Sequence, residues 1–227
     1  METWLLLTIG PLILVFYAQH KVQSTYRKFA EEANMLGIPG GVLARRLLDL
    51  HRLRAVEVEV SEGHLSDHYD PTTRTLRLSP AVYGEPSVSA LGIVAHEVGH
   101  AVQHATAFGP MQLRTSLVPA VNFGSSLAPL MFIAGLIFNM TGLIWVAVAF
   151  FSAAVLFHLV TLPVELDASN RARAMLTANG LVTPQEGGAV NAVLNAAALT
   201  YVAALVSAMG QLLYFVWVAV GMGSRDD

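Results

Sequence analysis

Between Arg114 and Glu165 the chain carries no Asp, Glu, Lys or Arg for 50 residues, Thr115 to Val164. One bilayer crossing takes about 20 apolar residues, so a stretch of this length reads as two membrane helices joined by a turn. Asn139 to Gly142 interrupt the apolar pattern with polar and helix-breaking residues and mark that turn. Composition agrees with a membrane protein: 54% of the 227 residues are apolar, 13% are charged, and the mean hydropathy is +0.54.

Two more segments extend the pattern. Residues 3–18 form an uncharged run close to one crossing. It reads as an uncleaved anchor rather than a signal peptide, because no positive stretch precedes it and Phe16 spoils the small-residue cleavage pattern before Gln19. Residues 198–222 form the last apolar run. The expected fold is therefore a mostly α membrane protein with about four transmembrane helices, at 3–18, 116–138, 142–162 and 198–222. The polar regions are 19–114 and 163–197, the first holding an α+β domain with a small β-sheet.

Within 19–114, Gly37-Ile38-Pro39-Gly40 breaks an opening amphipathic helix, and Val42 to Leu53 returns to helical spacing. Ala55 to Val60 alternates Val with Glu, and Arg74 to Leu78 repeats a period of two after the turn residues Asp70-Pro71-Thr72-Thr73. These segments predict a small sheet with an exposed edge. In 163–197, a helix over Val164 to Ala178 stops at Asn179-Gly180, and Thr183-Pro184-Gln185-Glu186 has the form of a capping box opening another.

Charge excludes some functions and sets orientation. A net charge of -3 with no long basic stripe argues against nucleic-acid binding. The absence of cysteine removes disulfides, thiolate metal sites and a cysteine nucleophile together. Ten of the 13 Lys and Arg lie between Gln19 and Arg114, and Arg171 and Arg173 lie in the second polar region. The positive-inside rule then places both polar regions in the cytosol.

The segment His96-Glu97-Val98-Gly99-His100 matches H-E-x-x-H. On a helix, residues four apart share a face, so both imidazoles reach one Zn²⁺ while Glu97 acts as general base on a metal-activated water. Ser87 is the expected N-cap, and Val88, Leu91, Val94 and Val98 give the helix its apolar side. A catalytic zinc takes a third protein ligand. His104 lies roughly 12 Å along the axis from His96, too far to share the ion on a straight helix, and reads as a supporting or structural residue. Glu165 is the expected third ligand, since two crossings return the chain to the same membrane face; Asp167 is the alternative.

Asp67-His68-Tyr69-Asp70 has two readings: it organises a hairpin, or His68 or Tyr69 donates a hydrogen bond to the oxyanion. The strand Arg74 to Leu78 would then pair with an extended peptide. His158 reads as a core or interfacial histidine.

Three blocks together, Leu65-Ser66-Asp67-His68-Tyr69-Asp70-Pro71, His96 to His104, and Leu162-Pro163-Val164-Glu165-Leu166-Asp167-Ala168-Ser169, resemble the YugP-type neutral zinc metallopeptidases. That resemblance spans nearly the whole chain and implies a bacterial multi-pass protein of the cytoplasmic membrane, one Zn²⁺ per chain, and protein or peptide substrates. A more distant similarity is to the HtpX-like membrane gluzincins, which carry an Asp four residues after the ligand Glu to support a zinc-bound His. Ser169 stands there in this chain, so Ser169 or Asp167 takes that supporting place.

Two rivals differ in class. A site-2-type intramembrane protease would need Pro86 to Leu113 to cross the bilayer, against its three histidines and two glutamines and without a Leu-Asp-Gly motif. An inactive, zinc-stabilised membrane scaffold would have no use for Glu97. A membrane-protein partner and a homo-oligomer both stay open.

Overall fold

The computed structural model describes the backbone of residues 2–226 and the side chains of residues 7–223. Seven helices and three strands follow in the order α1 (Glu2–Ala30), α2 (Gly40–Leu50), β1 (Glu57–Val60), β2 (His68–Asp70), β3 (Thr75–Leu78), α3 (Pro80–Gly84), α4 (Val88–Ala105), α5 (Gly109–Ile137), α6 (Thr141–Ala178) and α7 (Pro184–Asp226). Three described helices are long and apolar enough to cross a membrane: α5, α6 and α7 as far as Gly223. The expected crossing at 3–18 falls in α1, and the side chains of residues 3–6 lie outside the described ones.

The chain divides into two compact units. One contains Met1–Gln19, Gln112–Pro163 and Thr200–Asp227. Its α5–α6 turn falls at the expected place, with Asn139 in the left-handed region at φ 53°. Small residues bring its helices together: a Cβ on Gly124 would lie 2.9 Å from the Phe150 carbonyl oxygen, and one on Gly135 2.5 Å from the Ile144 side chain. Phe132 stacks on Phe215 with ring centroids 4.1 Å apart, beside Ala128, Ile144, Ala147 and Ala219.

The other unit contains His20–Met111 and Val164–Leu199. Leu43 and Leu47 of α2, Leu76 and Leu78 of β3, Leu91, Val94 and Val98 of α4, Leu176 of α6 and Leu194 of α7 meet in one core. The predicted caps are present. Ser87 Oγ accepts from the Ala90 N–H, Gly180 ends α6 at φ 61°, and Thr183 and Glu186 bond each other's backbone N–H groups at the start of α7.

The sheet has the order β1-β3-β2, with β1 parallel and β2 antiparallel to β3. Here the structure corrects an expectation. The strand Arg74 to Leu78 is central and has no free edge for a peptide, because His68–Asp70 is itself a strand on one side of it and β1 occupies the other. Asp70 organises the β2–β3 turn by accepting from the Thr72 N–H and the Thr73 hydroxyl. Asp67 fixes the other end by accepting from the Ser79 N–H at 2.7 Å.

A second difference concerns helix ends. The third crossing and the helix carrying Glu165 were expected as separate elements, yet α6 is one helix of 38 residues containing Pro163. Proline there withholds only the N–H that would bond the Leu159 carbonyl, and the hydrogen bonds on either side carry the helix through. By contrast, α7 runs unbroken from its capping box into the last apolar run, as the sequence leads one to expect.

Candidate metal centre

The centre begins with helix geometry. His96 and His100, one turn apart on α4, stand with ring centroids 4.7 Å apart at an interplanar angle of 85°. Glu165 reaches them from α6, its Oε2 3.1 Å from His96 Nε2 and 3.4 Å from His100 Nε2. The three side chains each offer one ligand atom within 4.8 Å of the others. Glu165 is 2% exposed, so its carboxylate is set deep in the fold.

Gly99 makes this meeting possible. A Cβ there would stand 2.8 Å from the Ala168 carbonyl oxygen and 3.3 Å from its Cα. Glycine inside the motif thus lets the α4 backbone approach the turn of α6 that carries Glu165. The variable positions of H-E-x-x-H do structural work here.

A layer of hydrogen bonds lies behind the ligand atoms. His100 Nδ1 is 2.9 Å from Gln103 Oε1, and Gln103 Nε2 donates to the Val164 carbonyl and to Asp167 Oδ2, both at 2.8 Å. Arg171 Nε donates to the same Asp167 oxygen at 2.6 Å, and its guanidinium lies over the Phe108 ring. His96 Nδ1 is 3.2 Å from Ser169 Oγ. Ser169 therefore touches a histidine of the cluster directly, while Asp167 reaches one through Gln103.

Glu97 is also buried, beside the two histidines in sequence. Its Oε2 accepts from the Tyr69 backbone N–H at 2.9 Å, so β2 holds the carboxylate in place. Burial pushes its pKa up, against the opposing charges of His100 and His96. For His100, burial alone would lower the pKa. The Glu165 hydrogen bond and the Glu97 charge outweigh it, and the net direction is upward.

The remaining expected site residues stand apart from the cluster. His104 is bonded through Nδ1 to the Tyr69 hydroxyl at 2.8 Å. Exposed His68 turns its Nδ1 to the Ser66 carbonyl oxygen, 2.8 Å away. Neither these two nor His158 and Asp167 belongs to the described group of converging ligand atoms. Gln103 escaped sequence reading altogether. Its one signal is its place three residues after His100, on the same side of the helix.

Two imidazole nitrogens and one carboxylate oxygen, with hydrogen-bond partners behind both rings, are a donor set that suits Zn²⁺ in an open, three-ligand site. A chain without cysteine offers no competing thiolate set.

Comparison with known proteins agrees with this chemistry. The profile of the family described as "Putative neutral zinc metallopeptidase" matches residues 4–220. The "Putative membrane protease YugP" of Bacillus subtilis (strain 168) is 46% identical over 224 residues, covering 99% of each chain. No solved structure matches. The chain belongs to that zinc metallopeptidase family.

Proposed function

We propose that this member of the family is a multi-pass membrane zinc endopeptidase that hydrolyses peptide bonds in protein or peptide substrates. The observation that carries the reading is the convergence of His96, His100 and Glu165, two residues of α4 and one of α6, on one point. These three would hold one Zn²⁺ per chain, which when bound would supply Lewis-acid activation of an attacking water. Glu97 takes the proton from that water and passes it to the departing amine nitrogen. The Tyr69 N–H keeps the Glu97 carboxylate oriented for both transfers. The Tyr69 hydroxyl is held by His104 and serves to anchor β2 on α4.

The four crossings are assigned to 3–18, 116–138, 142–162 and 198–222. The distribution of Lys and Arg puts 19–114 and 163–197 on the cytosolic side of a bacterial cytoplasmic membrane. An active site so placed faces cytosolic segments of membrane proteins or soluble peptides.

Glu97→Gln tests the reading. The exchange keeps the shape of the side chain and the acceptor for the Tyr69 N–H but removes the base. Zinc content should stay at the wild-type level while cleavage of an unstructured reporter peptide falls by about 10²–10⁴-fold. Equal cleavage by the two proteins would contradict the mechanism, and no cleavage by wild type would favour the zinc-stabilised scaffold.

A further inference from the structure

Resting on the zinc reading above, we propose that Gln103 is a positioning residue that fixes His100 in the one neutral tautomer able to offer Nε2 to the metal. The argument begins with the primary amide, whose two ends differ: the nitrogen has two hydrogens to give, and the oxygen can only accept. Two acceptors sit at one end of the Gln103 amide, the Val164 carbonyl and the Asp167 carboxylate. The amide nitrogen must therefore face them. A flipped amide would set its oxygen against two other oxygens, each 2.8 Å away. Arg171 holds the Asp167 carboxylate in place through a 2.6 Å bond.

With its nitrogen committed, Gln103 shows His100 only an oxygen, 2.9 Å from Nδ1. Nδ1 must then carry the hydrogen, and in a neutral ring the lone pair falls on Nε2, the atom aimed at Glu165. Gln103 is 0% exposed, so no water competes for either end of the amide. His96 has no such control. Its Nδ1 partner is the Ser169 hydroxyl, which gives or accepts a hydrogen equally well and selects neither tautomer. A neutral amide braced by a carboxylate and a guanidinium thus does for His100 what a directly bonded carboxylate does in many zinc sites.

The test compares zinc affinity with fold stability in the full-length protein in detergent. Metal is removed, Zn²⁺ affinity is measured by competition with a chelator, and the thermal midpoint of the metal-free protein is recorded. Gln103→Leu, which takes away the acceptor for His100, should weaken zinc binding by about 10–100-fold. Gln103→Glu keeps that acceptor but sets a second carboxylate against Asp167, and should also lose affinity. The double variant Gln103→Glu with Asp167→Asn puts an amide donor opposite Glu at position 103, leaves the Val164 carbonyl facing an oxygen, and should recover part of the loss.

Recovery in the double variant separates tautomer control from packing, because neither of its two exchanges changes side-chain size. Three results would overturn the inference while leaving the zinc site intact. These are wild-type affinity in Gln103→Leu, a drop only in thermal midpoint, and a double variant as weak as Gln103→Glu. Wild-type protein that binds no zinc would remove the reading beneath it as well.

Discussion

The two units of this molecule satisfy the same kind of apolar residue in opposite ways. In the unit of His20–Met111 and Val164–Leu199, leucines such as Leu43, Leu47, Leu76 and Leu176 are enclosed. In the other, large apolar side chains face outward: Ile137 is 71% exposed, Phe138 69% and Phe16 68%, around a small aromatic and alanine centre. The first pattern is that of a fold in water, and the second is that of a fold whose solvent is hydrocarbon. The chemistry follows the division. Buried Glu97, His100, Gln103 and Glu165 all belong to the unit with the enclosed core. Such a core fixes polar groups at defined distances and leaves each with a hydrogen-bond partner.

A pair of truncations puts this contrast under most strain. Leu47→Ala removes a fully enclosed side chain and should destabilise its unit by about 2–5 kcal/mol, measured by thermal unfolding in detergent. Ile137→Ala, at an exposed position of α5, should leave the midpoint close to wild type. Equal losses would mean that Ile137 is packed against protein and that the division is wrongly drawn.

Glycine substitutions sharpen the same contrast at the motif. Gly99→Ala forces a methyl group against the Ala168 backbone and should cost about 1–3 kcal/mol while lowering zinc occupancy, as α4 and α6 move apart. Gly84→Ala, with nothing within 4 Å of the added carbon, is the control and should change neither quantity.

The smallest effect concerns acid. Hydrogen bonds from the Thr72 N–H and the Thr73 hydroxyl, with Arg77 nearby, lower the Asp70 pKa to about 2. A carboxyl depressed in the folded state stabilises fully above its unfolded value of about 4, and that contribution fades as pH falls through the folded value. The β2–β3 turn should therefore loosen between about pH 4 and pH 2, and Asp70→Asn should flatten that part of the stability profile. An unchanged profile would show that Asp70 contributes nothing to the turn.

What could be read from the chain alone was whatever local chemistry encodes. The uncharged run announces the α5–α6 hairpin, Asn139 its turn, Ser87 and the Thr183–Glu186 pair their helix starts, and Gly180 a helix end. Each of these depends on neighbours a few residues away. The strand order β1-β3-β2 was hidden because three- and four-residue strands carry too few alternations to reveal their partners. Pro163 pointed to a helix boundary that the surrounding apolar helix overrides. Gln103 was invisible for another reason: a glutamine in a helix is ordinary until His100, Val164 and Asp167 are seen around it. Gly99 likewise gains its meaning only from Ala168 across the α4–α6 contact.

The central claim is that two residues of α4 and one of α6 hold a single zinc, and metal analysis of purified full-length variants tests it most directly. Wild type and His104→Ala should each carry one zinc per chain, while His96→Ala and Glu165→Ala carry close to none. Full occupancy in Glu165→Ala, or loss of zinc in His104→Ala alone, would contradict the account.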